Sequence, residues 1–600
     1  MNASKTDRQL LLRLATIACI ASCCLVVLDL WGNRDRFDPE GITFLDMADA
    51  YRRGAWRAAL IPAWSPLYPF LLWLMMLFFN PSAQWEFTVV HALNFFIYLV
   101  TLASFSVFMW EFLRANKDPA ANGRLPDWSW LVFGYSLFTW ATIRLMPPHL
   151  PEPDSIVCAL VYLIFATLFR IRRGAVAWGE SIFFGLLLGL GYLAKAIMFP
   201  MAFIFTGAAL MLAGRSAKKL KQILVAFSVF LLLSLPYIVV LSNANSRWMF
   251  SDAGRLNYIW TMSQVKKFSN WQGEEIGHGT PVHPTRKIYD DPPMYEFGEP
   301  FKVTYPPWYD PSYWYEGVKV TVDPRRQLSA IGSNTTVLLL FLATSPTASS
   351  TWDFLEFDKG RNIGAFLTLF CVIVLMNLGR VSVFRGIAEH WFVLIPIGLV
   401  LGLYAPLHFE GRYIAAYVVV LWMVLFRSIA IPHSEESKRI FTAVLVAAGL
   451  ITTITLVVAT SRAVFLATCQ FATANTEAPF LQSGYTNWQV AKYLHDAGVR
   501  EGDPVGSVGW AFRAYWARMA RVHIIAEVPE EPGGAKTFWS WSPEKTTAVM
   551  QKFRDVGAKA VVVNESASSD PAQVNGSAHL NWHRIGDTDY YVYVFTQTSE

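Results

Sequence analysis

Eleven apolar runs constrain what this chain can fold into. They lie at about 10–30, 84–112, 128–147, 154–171, 180–195, 197–213, 222–242, 362–379, 389–406, 412–430 and 438–459. Crossing hydrocarbon takes roughly 20 consecutive apolar residues. Several of these runs reach that length, and 54% of the chain is hydrophobic with only 16% charged. Ordinary soluble domains carry about 25% charged residues. The sequence therefore reads as a polytopic α-helical membrane protein with about eleven transmembrane helices. The first run is too long for a removed signal peptide and lacks a small-residue cleavage site, so it counts as a membrane helix. A net charge of +5 is too small to suggest nucleic acid. The cysteines, Cys19, Cys23, Cys24, Cys158, Cys371 and Cys469, form no CxxC pair in an aqueous loop and read as packed thiols.

Basic residues set the expected orientation. Lys5, Arg8 and Arg13 precede the first run; Arg114, Lys117 and Arg124 follow the second; Arg170, Arg172 and Arg173 follow the fourth; Arg215, Lys218, Lys219 and Lys221 follow the sixth. Arg380 and Arg385 come after the eighth, and Arg427, Lys438 and Arg439 flank a later turn. All fall on one side if the N-terminus is cytoplasmic. That holds only if the short apolar segment 66–79 lies in the interface instead of crossing. The domains expected are a transmembrane domain, 1–465, with outer loops 31–83 and 243–360, and a soluble extracytoplasmic α/β domain, 480–600. In the tail, strand patterns (503–509, 521–528, 559–565, 590–595) alternate with helical ones (487–498, 543–558). The apolar run 336–343 is too short to span. Asn334-Thr335-Thr336 and Asn564-Glu565-Ser566 fit glycosylation sequons, a common chance match.

The chemistry-bearing residues gather in the expected outer loops. Asp35, Asp38, Glu40, Asp46 and Asp49 follow the first run, with Arg34, Arg36, Arg52, Arg53 and Arg57 among them. These arginines could bind an anion or pair with their acidic neighbours. Asp38 and Glu40 stand before a helical pattern, where an acid can cap the helix or act in catalysis. The loop MPPHLPEPDSIV, 146–157, brings His149, Glu152 and Asp154 to the same face, where Asp154 could also be a cap. Two acidic loops on one face can converge on a substrate, one carboxylate accepting a proton while the other positions the acceptor or binds a metal. Lys195, between two apolar runs, reads as a phosphate anchor or a snorkelling lysine. Arg412, in HFEGRY, can fork onto a phosphate or pair with Glu410. The aromatic loop 283–317 holds Tyr305, Trp308, Tyr309, Tyr313, Trp314 and Tyr315, suited to sugar rings or to a membrane interface. The spacing of His278, His283 and Arg286 gives no zinc signature.

Taken together, the acidic loop after the first run, WSPLYP, PEPD, GYLAK and the late GRY resemble the GT-C membrane glycosyltransferases, among them the protein O-mannosyltransferases and lipid A aminoarabinose transferases. The resemblance covers roughly residues 10–460. The family's acid four positions before a Tyr falls here on Glu40, with Phe44 replacing the Tyr and Asp38 two residues away. The second family acid matches Asp154. The resemblance implies transfer of a sugar, with inversion, from a polyprenyl-phosphate-linked donor to an extracytoplasmic lipid, glycan or protein acceptor, in a bacterial inner membrane. It points to Glu40, Asp38 and Asp154 for catalysis; Lys195 and Arg412, with Arg255 or Arg286, are read as the cations that meet the donor phosphate. Tyr68, His149, Trp308, Tyr309, Tyr313, Trp314, His408 and Tyr413 are assigned to substrate and sugar. No defined cofactor is expected, with a divalent cation left open. The alternative is a membrane transporter or lipid flippase, which would need ionisable residues near mid-bilayer; here the charges concentrate at one face, with Asp29 and Lys195 nearest the interior.

Overall fold

The structure, a computed structural model of the chain, describes residues 5–34, 37–115, 125–174, 177–262, 270, 286–297, 302–315, 317–343, 382–429, 434–473, 482–509, 511–530, 535–564, 582–586 and 588–595. The expected run 362–379 lies outside these residues, as do Asp35, Arg36, Lys117, Arg124, His278, His283 and Arg380.

Apolar length dictates the helices. In order they are α1 Lys5–Gly32, α2 Pro39–Arg52, α3 Leu67–Phe79, α4 Glu86–Ala115, α5 Asp127–Trp140, α6 Asp154–Arg172, α7 Trp178–Ala194, α8 Met198–Ala213 and α9 Ala217–Ala244. Later helices relevant to the site are Trp391–Tyr404, Gly411–Ser428 and Glu435–Thr473. Among the described residues, six helical segments are long and apolar enough to cross a membrane: Arg8–Gly32, Ala83–Ala115, Asp154–Arg172, Ala217–Ala244, Gly411–Ser428 and Glu435–Arg462. At 13 residues, α3 is short of that length. Its Tyr68, Leu72 and Met76 are buried while Leu77, Phe78 and Phe79 are exposed. The run 336–343 belongs to a longer helix, Pro324–Ala343. There Asn334 of the first sequon donates its amide to Ala405 O at 2.8 Å, so it packs a helix end.

Aromatic rings fill the centre of the bundle, with Phe105 stacked on Phe138 at 4.6 Å and edge-on to Tyr162 at 5.2 Å. Small polar groups join helices through this apolar core, as they do where lipid offers no partner. Tyr98 donates to Ser22 Oγ, which bonds Thr139, both at 2.7 Å, linking α1, α4 and α5. At one end of the bundle the buried Glu111 gathers Arg114, Arg170 and Arg173, and Arg427 donates to Phe112 O at 2.7 Å. The expected basic clusters of α4, α6 and the Gly411–Ser428 helix thus share one end.

A seven-stranded sheet stands at the opposite end. Its strands are β1 Arg286–Asp290, β2 Pro293–Glu296, β3 Pro504–Val508, β4 His523–Val528, β5 Ala560–Asn564, β6 His583–Arg584 and β7 Tyr590–Val594, in the order β1-β2-β4-β3-β5-β7-β6. The β3 strand runs parallel to β4 and β5; the other pairs are antiparallel. Two strands come from the 243–360 loop, which pairs with β4 and so folds onto the tail. The local stop and start signals hold: Gly498 follows the Gln482–Asp496 helix at φ +92°, and Ser542 caps Pro543–Asp555 through Lys545 N. That helix packs tightly on β3, where a Cβ on Gly506 would lie 2.3 Å from the Phe553 ring. Gly506→Ala is therefore expected to cost about 1–3 kcal/mol by overpacking. The readout is earlier thermal onset of proteolysis within residues 482–595 of the full-length protein.

Candidate functional site

Four separate segments meet at the sheet end of the bundle. Asp38 caps α2, its Oδ1 accepting from Glu40 N at 2.9 Å, with Pro39 preset for the first turn. Glu40 stands in that first turn, its carboxylate close to that of Asp38. The second segment is the loop Pro147–Pro153, whose four prolines restrict its backbone. It delivers Glu152 and then Asp154, the first residue of α6. Lys195 follows the last turn of α7, in extended conformation. Glu410, Arg412 and Tyr413 open the Gly411–Ser428 helix.

Arg412 joins three of these segments. Its Nη2 lies 3.1 Å from Glu40 Oε1, and Glu152 and Glu410 also hold the guanidinium. Lys195 Nζ lies 2.6 Å from Asp154 Oδ1 and 3.9 Å from the Tyr413 ring centre. Asp154 is near enough to Glu40 and Glu410 to feel both charges. Its Oδ2 is buried without a hydrogen-bond partner. Tyr413 stacks on Tyr404 at 5.4 Å, and His408 Nε2 lies 3.2 Å from Glu410. Burial, reinforced by the Glu40 carboxylate, pushes the Asp38 carboxyl up to about 6 against the pull of Arg412. Five carboxyl groups here face two basic side chains, Arg412 and Lys195. Carboxylate oxygens of Asp38, Glu40 and Glu152 lie within 4.8 Å of one another, a hard donor set that fits a divalent cation, with Arg412 now standing against Glu40 and Glu152.

The close approach has a steric condition. A Cβ on Gly41 would lie 2.2 Å from Pro151 Cγ. Only glycine lets the start of α2 reach the proline loop. Behind that loop, Tyr68 donates to Asn94 Oδ1 at 2.7 Å, and Asn94 donates to Pro148 O and Leu150 O at 2.9 and 3.0 Å. His149 pairs with Asp29 of α1 at 3.0 Å. Tyr68 and His149 thus brace the loop from inside the protein.

Of the residues singled out from sequence, Asp38, Glu40, Asp154, Lys195, His408, Arg412 and Tyr413 come together. The others do not. Trp308, Tyr309 and Trp314 are buried: Trp308 packs against Phe512 at 4.5 Å, Tyr309 donates to Ala58 O at 2.6 Å, and Trp314 donates to Asn270 at 3.0 Å. They pack between the outer segments. The side chain of Tyr313 lies outside the described residues. Arg255 forks onto Asp252 at 2.7 and 2.8 Å. Arg286 is exposed on β1, the edge strand, paired with Glu296 at 2.5 Å. Sequence reasoning gave no site role to Glu152 and read Glu410 only as a partner of Arg412. The PEPD spacing, two acids around one proline, was the available signal.

No protein-family model and no curated protein matches the chain. Among solved structures it is similar to ArnT from Cupriavidus metallidurans in the apo state, at 9% identity and a TM-score of 0.48 over 98% of each chain. It is also similar to the oligosaccharyltransferase AglB from Archaeoglobus fulgidus, solved with an inhibitory peptide and a dolichol-phosphate, at 12% identity and a TM-score of 0.48 over 94% of this chain and 70% of that one. A third is ArnT bound to undecaprenyl phosphate, at 12% identity and a TM-score of 0.40 over 99% of both. Likeness of this degree transfers no function.

The Gly41 contact yields a direct expectation. Gly41→Ala should push α2 off Pro151 and lengthen the Glu40–Arg412 pair. The readout is hydrogen exchange in the full-length protein, which should accelerate in residues 38–45 of Gly41→Ala relative to wild type.

Proposed function

We propose that the chain is an integral membrane glycosyltransferase that moves a sugar from a polyprenyl-phosphate donor to an extracytoplasmic acceptor with inversion. The observation that carries this reading is the convergence of Glu40, Asp154, Lys195 and Arg412, from four segments, at the end of the bundle beside the sheet. Glycosyl transfer from a phosphate ester needs a base for the acceptor and cations for the leaving phosphate. The opposite end is basic around Glu111, which favours a cytoplasmic location for it and an outer location for the site. The short, one-sidedly exposed α3 suits the interface on the site side.

The ion pairs suggest how the site works. Both cations are paired: Arg412 with Glu40, Glu152 and Glu410, and Lys195 with Asp154. Simply breaking one such pair is costly, about 4 kcal/mol at 4 Å for an effective dielectric of about 20. Exchanging a carboxylate for the donor phosphate keeps each cation paired. Donor binding then releases Glu40 as base and frees Asp154 to orient the acceptor. The acceptor oxygen or nitrogen attacks the anomeric carbon and its proton passes to Glu40. The bond from that carbon to the phosphate oxygen breaks, and its electron pair leaves on polyprenyl phosphate, stabilised by Arg412 and Lys195. A divalent cation held by Asp38, Glu40 and Glu152 would add Lewis-acid stabilisation of the phosphate.

Glu40→Gln should lower the transfer rate about 10²–10⁴-fold, and Asp154→Asn should also slow it. The test is mass spectrometry of cell-envelope glycans and lipid-linked sugars with the wild-type protein, the variants and no protein. Full product from a Glu40→Gln, Asp154→Asn double variant, or no product difference without the protein, rejects the reading.

The pH dependence follows from Asp38. Its carboxyl, raised to about 6, is neutral below that pH and charged above it. A charged Asp38 makes Glu40 a stronger base, so the rate should climb as pH rises through about 6. Asp38→Asn should remove that limb of the pH–rate profile.

A further inference from the structure

A second charge cluster stands on the same helix as Glu40, and the reaction has no use for it. Its centre is Arg518, buried on the short helix Tyr515–Ala520 of the C-terminal unit. Nη1 reaches Asp46 Oδ1 at 2.8 Å and Asp49 Oδ2 at 2.7 Å, both on α2. Nε and Nη2 form a fork on Glu86, the first residue of α4, at 2.8 and 2.7 Å. Asp46 also accepts from Thr304 N and Oγ1, each at 2.9 Å, which adds the 243–360 loop to the clamp. A second bond lies beside the site: Tyr515 donates to Phe37 O at 2.9 Å, one residue before Asp38. Phe37 itself stacks on Phe87 at 3.8 Å.

We infer that Arg518 is a positioning residue of the proposed active site, gripping α2 so that Asp38 and Glu40 meet Arg412. The inference rests on the glycosyltransferase reading for its catalytic consequence and on geometry alone for the grip. α2 is a rigid connector: Glu40 and Asp46 are six residues apart, roughly 9 Å along a helix axis. A shift at one end of such a rod is felt at the other. The grip is also stringent. Three carboxylates share one guanidinium in a buried pocket, and burial already pushes the Asp46 carboxyl up to about 6. Without the arginine these acids repel one another, and α2 loses its charge-paired hold on the C-terminal unit and on Glu86. The C-terminal unit thereby becomes a working part of the site, acting through α2.

The test uses full-length protein in nanodiscs, as wild type, Arg518→Met, Arg518→Lys and Glu86→Gln. Hydrogen exchange should accelerate in residues 38–45 of Arg518→Met and, more weakly, of Glu86→Gln. Exchange in β3, β5 and α4 should match wild type, and Arg518→Lys should restore much of the protection. In sugar transfer from a membrane-extracted polyprenyl-phosphate donor pool, Arg518→Met should lower kcat by about 10²-fold, as small misplacements do, with donor KM little changed. Its effect should be non-additive with Glu40→Gln, because both act through one carboxylate. Unaltered exchange in 38–45, or acceleration spread equally over the C-terminal sheet, overturns the inference, as does strict additivity in kcat. The exchange data decide the grip even if wild type transfers no sugar, so the two readings fail separately.

Discussion

Arg412 holds together segments that the chain separates by hundreds of residues. Glu40 comes from the first outer loop, Glu152 from the proline loop before α6, and Glu410 from its own helix start. Such a cluster is a poor device for stability alone, since removing charges from water costs what their attraction returns. Its geometry is maintained by other contacts. Gly41 permits the approach, the prolines stiffen the loop, and Asn94 and Asp29 brace it from behind.

The two ends of the bundle solve opposite electrostatic problems. Around Glu111, arginines outnumber acids, and each is partly exposed. Around Arg412, acids outnumber bases inside a packed interface. A protein that needed only to span a membrane could have left this second end neutral. The surplus of carboxylates, one of them an Asp154 oxygen with no partner, has no packing use. On the proposed reaction it has a use, because a base and an acceptor anchor must both be present.

Much of this was legible because apolar length and helix punctuation are local signals. Nearly every run within the described residues became a helix with ends shifted by a few residues, and Ser542 and Gly498 stand at the boundaries they mark. Asp38 is the cap that the sequence allowed, and its carboxyl also lies beside Glu40. The aromatic loop was ambiguous for a physical reason: dense tryptophan and tyrosine suit a sugar platform and a packed core equally, and only burial separates them. Trp308 and Trp314 are core. The pairing of β2 with β4 was illegible, since a strand's alternation does not name its partner. Arg518 was illegible too. One arginine in YWARMAR carries no local sign that three acids from α2 and α4 will close on it.

The excess of acids also bears on product release under the proposed reaction. A polyprenyl-phosphate sugar is a phosphodiester with one negative charge. The polyprenyl phosphate left behind is a monoester whose second ionisation lies near pH 6, so it carries close to two. Tighter binding of the product would stall the enzyme if Arg412 and Lys195 stood alone. They do not stand alone, for Glu40, Glu152, Glu410 and Asp154 compete for the same two cations. Once the proton has left Glu40, its carboxylate regains its claim on Arg412 and repels the dianion. The resting ion pairs are then the force that clears the site, and a carboxylate surplus is what a phosphate-releasing centre of this kind requires.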